Sequence, residues 1–162
     1  MPFERLYRAD VRERAPGATA VALRLQNTTA GGLGVALPQG TTTTYARDAG
    51  GAQRLVGQAR LPRDGPVGLP VEIGLGTAAD VRARWRTVDG IPDANGGPET
   101  VEVELSNARP DAVTVEVRDL AQARVITAET AASFERDARF VWRVEVPANG
   151  RATLRYTIAR QS

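Results

Sequence analysis

Arg82, Arg84 and Arg86, in the stretch DVRARWRTV, recur at every second position. On a strand that spacing puts three guanidinium groups on one face, ~6.6–7 Å apart. Such a strip can hold a polyanion, whether phosphate or an acidic polysaccharide, because each planar fork grips an oxyanion in two places. The stretch VEVEL sets Glu102 and Glu104 on one face in the same way. Their separation falls in the range that inverting glycosidases use between two carboxyl groups. A general acid of that kind also needs an apolar setting to raise its pKa, and the flanking residues supply none. If DVRARWRTV pairs antiparallel with ETVEVELSN, one register sets Trp85 beside Val103, Arg84 opposite Glu104 and Arg86 opposite Glu102. The arginines and glutamates then form a cross-strand ladder that keeps the sheet soluble and in register.

Other motifs carry less chemistry. Gly74-Leu75-Gly76-Thr77-Ala78-Ala79 has the form of a dinucleotide fingerprint, but the following residues alternate as a strand where that motif requires a helix. Asp93-Ala94-Asn95-Gly96 opens like a calcium loop and lacks its third ligand and closing glutamate. Asn27-Thr28-Thr29 satisfies a glycosylation sequon. Trp85, Trp142, Phe140 and Tyr156 fall on inward faces, where core packing is favoured over a carbohydrate-stacking platform.

Composition narrows the functional classes. The chain of 162 residues has no histidine and no cysteine. This excludes Ser-His-Asp and Cys-His mechanisms, disulfides and thiolate zinc sites. Two acids converging in a cleft are not legible either. No catalytic, cofactor-binding or metal-binding residue is therefore assigned, and no cofactor is expected. All 21 basic residues are arginine, interleaved with 19 acids. They form no run, so nucleic acid is not an expected partner. No apolar stretch approaches the ~20 residues of a spanning helix. The start MPFERLYRADVRER has no apolar core of a signal peptide.

The elements that must carry these residues are strands. Period-two patterning and Gly/Pro punctuation place strands at 18–26, 41–47, 53–61, at VEIGLG (71–76), and at 80–88. In 18–26, Val21, Leu23 and Leu25 are expected opposite Ala20, Ala22 and Arg24. A loop follows at 89–98. Then comes a hairpin with Val101, Val103, Leu105, Val113, Val115 and Val117 inward, and a last hairpin joined at Pro147-Ala148-Asn149-Gly150. Residues 120–133 fit a short helix or a strand at 125–128. The reading is about ten strands and at most one short helix. It implies an all-β, antiparallel β-sandwich of immunoglobulin or fibronectin type. The strands form either one sandwich or two stacked subdomains, 1–79 and 80–162.

The order of Leu37-Pro38-Gln39-Gly40, Gly57, Gly74-Leu75-Gly76, Asn107, Pro147-Ala148-Asn149-Gly150 and Tyr156 resembles a bacterial family. It is the C-terminal domain of mucoidy-inhibitor-A-like proteins, a domain of unknown function, and the likeness runs from about Leu33 to Ile158. The resemblance implies an immunoglobulin-like domain of the periplasm or cell envelope, with no established catalytic residues. Longer members carry a further N-terminal region. The leading expectation is a non-catalytic module acting through protein contacts or as a spacer, its partner another envelope protein or a second copy joined through sheet edges. The alternative is a glycan-binding module using exposed aromatics or the strip Arg82, Arg84 and Arg86.

Overall fold

The structure is a computed structural model and describes residues 3–12, 16–90, 97–120, 123–128, 133–135 and 139–160. Its regular elements are all strands: β1 (Phe3–Asp10), β2 (Gly17–Gln26), β3 (Gly40–Arg47), β4 (Gln53–Leu61), β5 (Pro70–Asp89), β6 (Pro98–Asn107), β7 (Val113–Leu120), β8 (Ala123–Ala128), β9 (Ser133–Glu135), β10 (Arg139–Val146) and β11 (Arg151–Arg160). Nine of them form one curled sheet in the order β8-β11-β6-β5-β2-β1-β7-β10-β9, and β3 with β4 form a second, two-stranded sheet. The all-β expectation holds, and there is no helix among the described residues.

Three features differ from the sequence reading. First, VEIGLG and DVRARWRTV are one strand of 20 residues, β5. Gly76 stays in the ladder at φ +101°, a conformation open to glycine, so the glycine pair does not end the strand. Second, Phe3–Asp10 forms a strand, β1, that no period-two pattern marks in the sequence. It lies parallel to β7, with Tyr7 opposite Val115 and Arg8 opposite Glu116. A parallel partner more than a hundred residues away leaves no turn to announce it, and FERLYRAD does not alternate. Third, β2 buries Thr19, Ala22 and Leu25 at intervals of three, so the regular alternation expected there is broken. In the segment left open, β8 is a strand pairing antiparallel with β11.

Two compact units emerge: residues 1–6 with 20–77, and residues 7–19 with 78–162. On β5 the division falls at Thr77/Ala78, and Tyr7–Thr19 groups with the C-terminal residues. In the larger unit the inward faces of β1, β5, β6, β7, β10 and β11 supply buried Tyr7, Val81, Val103, Val115, Trp142 and Leu154. The curl shows directly in this core. Trp142 on β10 stacks on Tyr156 of β11 with ring centroids 4.2 Å apart, although the two strands lie near opposite ends of the sheet order. Phe140 meets Trp142 at 6.1 Å.

Asparagines fix strand ends in both units. Asn107, closing β6, donates its amide to the carbonyls of Asp111, Val146 and Pro147, and its Oδ1 accepts from the Arg109 amide. That ties the β6–β7 turn to the β10–β11 turn, where Asn149 takes a left-handed φ of 49°. In the smaller unit Asn27, fully buried, donates to the carbonyls of Val35, Gly65 and Pro66 at 2.8, 3.0 and 3.1 Å. Its amide nitrogen is thus committed inside the fold. The Asn27-Thr28-Thr29 sequon is not an accessible glycosylation site in the folded chain.

Candidate functional site

The register proposed for β5 and β6 is the one observed: Arg84 opposite Glu104, Trp85 opposite Val103, Arg86 opposite Glu102. On its other side β6 pairs with β11, which sets Ser106 opposite Arg151, Glu104 opposite Thr153 and Glu102 opposite Arg155. Side chains of one face therefore form three rows across three strands. They read Arg82–Ser106–Arg151, Arg84–Glu104–Thr153 and Arg86–Glu102–Arg155. All five arginines are exposed. The period-two spacing named Arg82, Arg84 and Arg86; it missed Arg151 and Arg155, because only the pairing of β6 with β11 brings them to the same face.

Each carboxylate on this face has one arginine. Glu102 Oε1 accepts from Arg86 Nη2 at 2.6 Å and Nε at 3.1 Å, and Glu104 accepts from Arg151 Nη1 at 3.3 Å. The Arg86 pKa is raised by its hydrogen bond to Glu102 and by that charge. Arg82, Arg84 and Arg155 have no carboxylate partner among the described residues, so the Arg84–Glu104 rung expected from the sequence is in register but not closed. A second row, across β1, β7 and β10, contrasts with this. There Glu116 is buried and accepts from Arg8 Nε and Arg143 Nη2, both at 3.0 Å. That row is a structural ion cluster; the first is an open cationic face.

The structure also gathers acids that sequence reasoning missed. Glu99 and Asp119 converge on Arg12, which sits just past β1 with a left-handed φ of 71°. Arg12 Nη1 hydrogen-bonds Glu99 Oε1, and Arg12 Nε lies 3.1 Å from Asp119 Oδ1. Asp119 Oδ2 also accepts from the Tyr156 hydroxyl at 2.7 Å. Burial disfavours the Arg12 cation, but Asp119 and Glu99 more than offset it, so its pKa is raised. A signal existed: Glu99 is in phase with Val101 and Val103, and Asp119 with Val115 and Val117, which puts an acid on each apolar face. Both acids are 1–2% exposed, so this is an internal ion cluster and not a cleft with room for a substrate. A cavity of about 20 Å³ beside Asp10, Thr19 and Trp85 holds no more than about one water.

The Tyr156 phenol is held far above its ordinary value by burial, by the Asp119 charge and by its hydrogen bond to Asp119. The folded state therefore binds that proton more tightly than the unfolded chain. Its contribution to stability is complete below the unfolded phenol's pKa of about 10 and is lost as pH rises above it toward the folded value. Denaturant midpoints should fall from pH 9 to 11, and Tyr156→Phe should flatten that decline (both about one unit either side of the free phenol). An equal decline in the variant would locate the alkaline sensitivity elsewhere.

The remaining sequence candidates divide simply. Gly74-Leu75-Gly76-Thr77-Ala78-Ala79 lies wholly within β5, with no helix to receive a pyrophosphate. Asp93-Ala94-Asn95-Gly96 lies outside the described residues. No group of three or more metal-ligating side chains occurs among the described residues. Trp142 and Tyr156 are buried and Trp85 is half-buried, so the aromatics of this unit pack and do not form a sugar-stacking platform. No helix among the described residues is long and apolar enough to cross a membrane. Comparison with family models, curated proteins and solved structures gave no match to this chain.

Proposed function

We propose that the chain is a non-catalytic, immunoglobulin-like β-sandwich module of a bacterial envelope protein, and that it acts through protein contacts. The resemblance described above supports the compartment and the family; the absence of histidine and cysteine supports a binding role. One observation carries the protein-contact reading. All the exposed large apolar side chains among the described residues, namely Phe3, Val35, Tyr45, Leu55, Val56, Val67 and Leu69, belong to the smaller unit. Tyr45 and Leu55 face each other across the β3–β4 hairpin at 57% and 60% exposure. The two-stranded sheet also has free edges, the geometry that accepts an added strand from a partner. Apolar side chains beside a free strand edge suit an extended segment of another protein. A photo-crosslinking residue at Tyr45 should then capture one discrete envelope protein in the living bacterium, while the same residue at Thr114 captures none. Capture of a second copy of this chain would make the contact homo-oligomeric; equal, diffuse labelling from both positions would sink the reading.

A further inference from the structure

We propose that the outer face of β5, β6 and β11 is a binding site for a linear acidic polysaccharide, gripped by Arg82, Arg84 and Arg155. The site lies in the larger unit and uses none of the residues assigned to protein contacts, so either assignment can fail alone.

Charge comes first. The three rows hold five arginines and two glutamates, a net of +3, whereas the whole chain carries +2. The larger unit as a whole is neutral, with 15 arginines and 15 acids, so within that unit this face concentrates positive charge while the remaining residues carry −3. Three of the five guanidinium groups have no carboxylate among the described residues, so their forks remain available to an outside oxyanion. Arg82 and Arg84 stand ~6.6–7 Å apart along β5, and Arg155 stands one row further on and two strand spacings across, ~12 Å from Arg84. An extended chain crossing the three strands obliquely meets all three arginines.

Chemistry then selects among polyanions. No aromatic side chain points from these nine positions, which leaves nothing for a nucleobase to stack on. No apolar side chain lies among them either, so a lipid surface would gain no insertion. Glu102 and Glu104 stand in the middle row positions between the arginines. They accept hydrogen bonds from sugar hydroxyls, donors that a DNA backbone does not bring. Ser106 and Thr153 add hydroxyls at the same level. Alternating oxyanions and hydroxyls are what a polyuronate presents, and guanidinium forks suit its carboxylates.

The test uses the full chain and polygalacturonate, with neutral dextran and single-stranded DNA as comparison ligands. Wild type should bind polygalacturonate with an affinity that falls linearly in log–log terms with salt, should not bind dextran, and should bind DNA at least tenfold more weakly. Arg82→Ala/Arg84→Ala/Arg155→Ala should lose tenfold or more and flatten the salt slope by about two units for three lost contacts. The fold should survive this change, because none of the three arginines holds a carboxylate among the described residues. Arg47→Ala/Arg60→Ala/Arg63→Ala removes the same charge from exposed positions of the smaller unit and should bind within twofold of wild type. Glu102→Gln/Glu104→Gln releases Arg86 and Arg151 and should tighten binding to polygalacturonate. Equal losses in the two arginine triples would reduce the effect to net charge and overturn the site. DNA binding as tight as polygalacturonate would overturn the choice of ligand, and no binding to polygalacturonate would overturn the proposal.

Discussion

Arg12→Ala should cost about 3–5 kcal/mol, enough to unfold much of a domain with ordinary marginal stability. The reason is what the substitution leaves behind. Glu99 and Asp119 are almost fully buried, and Arg12 is the cation that both contact. Without it, both buried carboxylates lose the guanidinium that they share in a low-dielectric interior. Urea or thermal denaturation would read the loss. Two further variants separate its causes. Arg12 holds a left-handed φ, which costs a side-chain-bearing residue roughly 1–2 kcal/mol, so Arg12→Gly should be about that much less damaging than Arg12→Ala. Adding Glu99→Gln and Asp119→Asn to Arg12→Ala should restore much of the stability, because neutral amides need no counter-charge. If the triple variant were no more stable than Arg12→Ala, the cluster would not be held by charge.

Trp142→Ala should be comparably severe, at about 3–5 kcal/mol for an emptied aromatic site. Trp142 has no solvent exposure and stacks on Tyr156 with an interplanar angle of 21°. It therefore joins two strands that share no ladder, and its loss should loosen the curl itself. The variant should lose most of the near-ultraviolet circular dichroism while keeping its far-ultraviolet strand signal. Trp142→Phe keeps a ring in the site and should retain the packing at a fraction of the cost. Acrylamide should quench the fluorescence of a Trp85→Phe chain only weakly, since the remaining indole is enclosed. Strong quenching there would contradict the burial and reopen an aromatic sugar platform.

Burial of Trp142 also explains how much of the candidate site could be read in advance. The period-two rule placed Trp85 inward and Arg82, Arg84 and Arg86 outward, because both faces of a strand are fixed by one alternation. The same rule restricted the β5–β6 pairing to registers that set apolar residues against apolar and arginine against glutamate, and the one with Trp85 opposite Val103 is the one observed. It failed where neighbours are remote. Arg151 and Arg155 reach the cationic face only through the β6–β11 pairing, and β1 reaches β7 as a parallel neighbour with no hairpin between them. Arg12 was invisible for the same reason: nothing local to VRER indicates that two acids from β6 and β7 will meet there.

By itself, then, the sequence determined the all-β content, the inward and outward faces of β5, β6 and β7, the turns at Asn107 and Asn149, and the exclusion of histidine and cysteine chemistry. These are local properties, set by side-chain alternation, glycine and asparagine conformations, and residue inventory. The tertiary structure alone decided which strands lie side by side, which arginines keep a carboxylate, and which acids are buried. It also showed that VEIGLG and DVRARWRTV are one strand, and that the exposed apolar residues collect in one unit. Those outcomes depend on contacts between residues far apart in the chain, where a side chain's partner is chosen by the closure of the sheet and not by its sequence neighbours.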